Sequence, residues 1–101
     1  PEVDVAAPGE NIFSTFPSYK FYIGTVNGRA RYYDVGSGTS MAAPQVAGLA
    51  GLLFAQDQTR SNAVVRNIIE TTANDLGGSG RDDYFGYGRI NVFDALSYPT
   101  P

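Results

Sequence analysis

A chain of 101 residues, 43% hydrophobic and with a formal net charge of −3, has material for a modest core and lacks the basic surface that nucleic acid demands. It contains no cysteine and no histidine, which excludes disulfides, zinc–thiolate sites and a thiol nucleophile and leaves only oxygen-ligand cations such as calcium open. The longest apolar stretch, 41–55, is broken by Pro44, Gln45 and two glycines and falls short of the roughly 18 residues of a membrane span, so neither nucleic acid nor a membrane is expected as a partner.

The opening Pro1-Glu2-Val3-Asp4 shows no methionine and no basic leader, and reads as the interior of a longer chain. Val3 to Ala6 is β-prone and is stopped by the turn signal Pro8-Gly9. Glu2 and Asp4 fall on one face of that strand, where two hard oxygens could hold a cation or simply meet solvent. Asn11 to Phe16 forms a second β-prone run, ended by Pro17.

Phe21 to Val26 and Arg29 to Val35 flank Asn27-Gly28. An Asn-Gly pair between β-branched and aromatic runs suits a type I′ turn, so this stretch predicts a hairpin. Gly36-Ser37-Gly38 is a joint before the next element.

Met41 to Ala55 predicts a helix that is apolar on nearly every face, as expected of one buried inside a larger domain. Gly48 and Gly51 each weaken it by about 1 kcal/mol relative to alanine, and close backbone approach is the expected compensation. Pro44 is placed near the first turn, where a missing N–H matters least.

Ser61 is a good N-cap for a second helix reaching about Ala73, with Val64, Val65, Ile68 and Ile69 as its apolar stripe. Leu76 to Gly80 is a glycine-rich loop. The run Gly77 to Tyr84 fits one copy of a glycine–aspartate calcium repeat, but that architecture needs several stacked copies, so a plain loop is expected. A last helix starts at Asn91, with Asp94 able to close a capping box and Phe93 and Leu96 as its apolar face. Tyr32, Tyr33, Tyr84, Phe85 and Tyr87 are read as packing aromatics. Residues 1–98 are expected to be one segment of a larger domain, incomplete on its own, and 99–101 a tail.

The most telling run is Gly38-Thr39-Ser40-Met41-Ala42-Ala43-Pro44-Gln45-Val46-Ala47-Gly48. It sets a serine at the mouth of an apolar helix. A hydroxyl there can cap the helix, or act as a nucleophile if a base lies within reach. The whole run resembles the nucleophile motif of the subtilisin-like serine peptidases. Val3 to Gly9 with Ile12, Ser14 and Thr15 is similar to the strand and Ala-Pro-Gly turn before that motif. Thr71 to Gly77 and Gly86-Tyr87-Gly88-Arg89-Ile90-Asn91-Val92 look like the family's later helix end and closing segment.

The resemblance implies an α/β fold: the C-terminal portion of a three-layer subtilisin-like domain, with a mainly parallel sheet, a buried nucleophile helix and a β-hairpin. It implies Ser40 as the nucleophile, with its own N–H helping to hold the oxyanion. Thr39 would position the site or make only a local turn bond. Met41, beside the nucleophile, would be open to oxidation, part of the core, or both. In subtilisins the triad runs aspartate, histidine, serine. The aspartate, the histidine and the oxyanion asparagine would therefore come from an upstream segment or another chain.

The implied partners are that N-terminal segment, a peptide or protein substrate and an inhibitory propeptide. No cofactor is needed for the chemistry; calcium or another hard cation could be structural, with Glu2 and Asp4 as candidate ligands. An extracellular location is implied. Gln45 departs from the histidine common at its position and should alter packing or hydrogen bonding. The Tyr19 to Val35 hairpin looks longer than in compact members, and would shape the leaving-group side of the cleft or be a surface insertion. A rival reading is a catalytically dead homologue serving as a binding module.

Overall fold

The computed structural model describes residues 3–17 and 33–98. In chain order the elements are β1 (Ile12–Thr15), β2 (Tyr33–Gly36), α1 (Thr39–Gln56), α2 (Asn62–Thr72) and α3 (Val92–Leu96). β1 and β2 pair antiparallel, with Ile12 opposite Gly36 and Thr15 opposite Tyr33. The Asn27-Gly28 turn and most of its flanking arms lie outside the described residues, as do Glu2 and the tail. Only the end of the second arm is seen, as β2.

The described residues form an α/β piece as expected, with the small antiparallel β1–β2 ladder; the mainly parallel sheet is expected of the complete domain. The parallel pairing they contain is one bridge, Ala6 to Arg89. It is held by the Ala6 N–H donating to the Gly88 carbonyl (2.8 Å) and the Ile90 N–H donating to the Ala6 carbonyl (2.9 Å). On its other side Arg89 exchanges two backbone bonds with Asn74, at 2.8 and 2.9 Å. Of the predicted Val3–Ala6 strand this bridge at Ala6 is what forms, and the closing segment stitches it to the end of α2.

α1 begins two residues earlier than the sequence suggests, at Thr39 rather than Met41. Pro44 therefore sits in its second turn, not its first. Having no N–H, Pro44 cannot make the usual bond back to the Ser40 carbonyl. The core forms where Leu49 and Leu53 of α1 meet Val65, Ile68 and Ile69 of α2, with Ile90 and Ala95 closing it. Periodicity explains the choice: positions 49 and 53, and 65, 68 and 69, lie on one face of their helices.

The residues described cover one side of α1, as fits a helix expected to be buried inside a domain larger than this chain. Leu49 and Leu53 alone are buried, whereas Ala47, Gly48, Gly51 and Leu52 are exposed. A Cβ added at Gly48 or Gly51 would touch nothing within 4 Å, so the close approach expected at those glycines is not made among the described residues. The reason is coverage: α2 and α3 are short and can lie along only one side of α1. Two further apolar assignments change. Val64 is exposed and drops out of the α2 stripe, and Phe93 is 79% exposed, leaving Ala95 and Leu96 as the inner face of α3.

The caps follow the sequence. The Ser61 hydroxyl accepts the Val64 N–H at 3.2 Å. Ser61→Ala is expected to cost about 1 kcal/mol, measured as a shift in the denaturant midpoint of the full-length protein. Asn91 accepts the Asp94 N–H through Oδ1 at 2.9 Å. The return bond runs from Asn91 Nδ2 to Asp94 Oδ2 at 3.0 Å, to the side chain of the cap rather than to its backbone.

The glycine-rich loop folds on its own carboxylates. Asp75 Oδ2 accepts the Gly80 N–H at 2.7 Å. Asp82 Oδ1 accepts the N–H groups of Tyr84 and Phe85, at 2.9 and 2.8 Å. Tyr84 is 86% exposed and Tyr87 is exposed as well, with the Arg81 guanidinium 5.9 Å above the Tyr87 ring. These are surface aromatics.

Candidate active site

Gly38 is the N-cap of α1, at φ 135° and ψ 171°, and no side chain caps this helix end. That φ is open to glycine and strained for other residues. Ser40 is thus the second helical residue, and capping does not occupy its hydroxyl. Its side chain is exposed and has no hydrogen-bond partner among the described residues. Neither has the N–H of Thr39 or Ser40, whereas the Met41 N–H turns back to the Gly38 carbonyl at 3.0 Å. Free N–H groups and the positive end of the helix dipole favour negative charge at this tip.

Two backbone contacts fix the tip. The Gly38 N–H donates to the Gly9 carbonyl at 2.6 Å, which docks the Ala7-Pro8-Gly9 turn on the start of α1. One residue earlier in the joint, the Ser37 hydroxyl accepts the Asn11 N–H at 2.8 Å, with Asn11 at φ 54°. Both strands of the small ladder are therefore tied to the helix mouth.

Ser40 lines an open groove of about 350 Å³, shared with Ile12, Ser14, Thr15, Gly36, Met41 and Gln45 among others. None of its lining residues carries a charge among the described residues. Thr39 faces away, into a separate hollow beside Ala6, Ala7 and Ala42. Its side chain makes no hydrogen bond among the described residues, so the local turn bond expected as one reading of Thr39 is not formed.

Met41 is half-buried and lies across β2, with its terminal methyl over Gly36 (2.7 Å from where a Cβ would stand). It is both packing and groove wall. Nothing in the composition signals this shelf; a glycine closing a strand just before the joint is the one hint. Gln45 acts through hydrogen bonds, as its departure from the common histidine suggests. Its Nε2 donates to the Pro8 carbonyl at 2.8 Å and to the Met41 carbonyl at 3.1 Å.

Glu2 lies outside the described residues. Asp4 Oδ1 accepts a bond from Arg66 Nη2 at 2.7 Å, and Arg66 also meets Glu70 at 3.2 Å. Those two carboxylates hold the Arg66 guanidinium still more firmly protonated than usual. Asp4 thus has a cationic partner already. Among the described residues no three acidic side chains gather to hold a metal.

A serine hydroxyl at an uncapped helix tip, beside free N–H groups and an open groove, is one part of what acyl transfer to a serine requires, the activating base being the other. The match to known proteins gives the class its family. A model of the subtilase family matches residues 1–88. The chain is 44% identical over 96 residues to thermitase from Thermoactinomyces vulgaris, covering 95% of this chain and 29% of that protein. It is 39% identical to an extracellular serine protease from Serratia marcescens, covering 94% of this chain and 10% of that protein. The structure aligns with fervidolysin from Fervidobacterium pennivorans at a TM-score of 0.70 and 36% identity, over 93% of this chain and 15% of that one. This chain belongs to the subtilase family, and it spans less than a third of the length of these relatives.

Proposed function

We propose that this chain supplies the nucleophile part of a serine endopeptidase. Ser40 Oγ attacks the scissile carbonyl, and an acyl-enzyme forms as the amine leaves. The Ser40 N–H, pointing out of the helix tip, contributes one donor to the oxyanion. The chain has no histidine, so the general base and its aspartate come from a segment outside these residues. The observation that carries this reading is the exposed, uncapped Ser40 hydroxyl on the wall of an open groove.

The substrate is a peptide or protein, and the same groove would take an inhibitory propeptide. Secretion is proposed from the relatives, one of which is named as extracellular. A structural calcium remains a proposal for the parent protein, with Glu2 and Asp4 as candidates; at Asp4 it would have to displace Arg66.

A fluorophosphonate probe added to the full-length protein tests the reading. Covalent labelling at Ser40, found by peptide mass mapping, is the expected result. No labelling of a folded protein would instead favour the dead homologue that acts only by binding.

A further inference from the structure

The geometry points to Gln45 as a positioning residue for the nucleophile, an inference that rests on Ser40 being that nucleophile. The first turn of α1 is poorly held by the helix itself. It has no side-chain cap. The Ser40 N–H has no acceptor among the described residues, which leaves it available for an oxyanion. On the other side of the same residue, Pro44 deprives the Ser40 carbonyl of its usual helical donor. The reacting residue therefore has neither an acceptor for its N–H among the described residues nor the usual i+4 donor to its carbonyl.

Gln45 restores that hold from outside the ladder. A primary amide nitrogen carries two hydrogens, and here they go to two different places. One goes to the Pro8 carbonyl (2.8 Å) and the other to the Met41 carbonyl (3.1 Å). Met41 directly follows Ser40. Pro8 sits in the turn whose next residue, Gly9, accepts the Gly38 N–H at 2.6 Å. The side chain thus closes a loop of contacts from the turn, through Gly38 and Ser40 to Met41, and back to the turn. With the loop intact, the Cα of Ser40 is fixed relative to the turn as well as to the helix. Remote fixing of this kind bears directly on rate, because small errors in nucleophile placement are costly.

The residue type matters. Leucine at position 45 fills similar space and donates nothing, so two carbonyls lose a partner. A neutral imidazole donates one N–H and can serve one carbonyl at a time. A side chain that merely filled space would leave turnover per folded molecule intact when exchanged for leucine.

The test uses the full-length protein with Gln45→Leu and Gln45→His. Two quantities are measured on folded protein: kcat and KM for an internally quenched peptide, and the second-order rate of fluorophosphonate inactivation, which reads Ser40 without a peptide in the groove. For Gln45→Leu we expect kcat and the inactivation rate to fall together by about tenfold or more, with KM nearly constant. Gln45→His should lie between that variant and the unsubstituted protein, and it carries the test alone if the leucine variant does not fold. A lowered melting temperature with kcat intact would overturn the inference, since Gln45 would then only support the fold. So would a changed KM at constant kcat, which would make it a groove wall. If the unsubstituted protein fails to label at all, the nucleophile reading itself falls and takes this inference with it.

Discussion

Ser40→Ala in the full-length protein is expected to lower kcat for peptide hydrolysis on the order of 10⁶-fold, the scale known for loss of the nucleophile in subtilisin itself. The residual rate should still exceed that in water, because the N–H groups at the helix tip and the groove remain, and together they are worth about 10³–10⁴-fold in such enzymes. Stability should hardly change. The Ser40 hydroxyl caps nothing, so its removal strands no partner. Alanine is also the better helix former in an exposed first turn. The melting temperature is therefore expected to stay within a few degrees. Peptide hydrolysis at an undiminished rate by the alanine variant would end the assignment of Ser40. A large loss of melting temperature would show that the hydroxyl has a structural partner outside the described residues.

The contrast between that prediction and the fold shows which information is local. Ser61, Asn91 and Asp94 could be read directly, because a cap is settled by residues three apart. The Ser40 motif was legible for a related reason: its eleven residues all serve one short turn and the helix behind it. The early start of α1 was harder to see. Gly38 takes a φ of 135°, and that freed Thr39 and Ser40 to enter the helix while Pro44 drew attention to a later first turn.

Burial was the least legible property. The composition of α1 is apolar all round, yet which faces are covered depends on elements distant in sequence, and the helices that pack on it are α2 and α3. The same holds for Val64 and Phe93, whose periodicity fitted a buried face that no element covers among the described residues. The Gln45 clamp needed the fold as well: its two acceptors stand 37 and 4 residues away, and only docking of the Ala-Pro-Gly turn brings them to one amide.

Gly88→Ala should be a severely damaging small substitution away from Ser40. Gly88 is buried at φ 123°. A Cβ there would overlap the Asn74 carbonyl group and press on Asp75 Cα. Neither neighbour is the loose end of a side chain; both are backbone. The segment cannot retreat either. The Gly88 carbonyl accepts the Ala6 N–H, the Gly88 N–H donates to Phe85, and the next residue exchanges two bonds with Asn74. Backbone strain of about 1–3 kcal/mol and overpacking of about 1–3 kcal/mol therefore add at one place. The expected cost, on the order of 4 kcal/mol, is a large share of the 5–15 kcal/mol that typically holds a domain together. A denaturant midpoint for the full-length variant measures it, and a cost below about 1 kcal/mol would mean that the Asn74 peptide yields freely. The consequence should reach the site. Ala6 leads straight into Ala7-Pro8-Gly9, the turn that receives both Gln45 and Gly38. Displacing Gly88 moves the far end of the clamp on Ser40. Fluorophosphonate inactivation of the molecules that remain folded should therefore slow as well, so that one methyl group, added far along the chain from Ser40, weakens stability and nucleophile together.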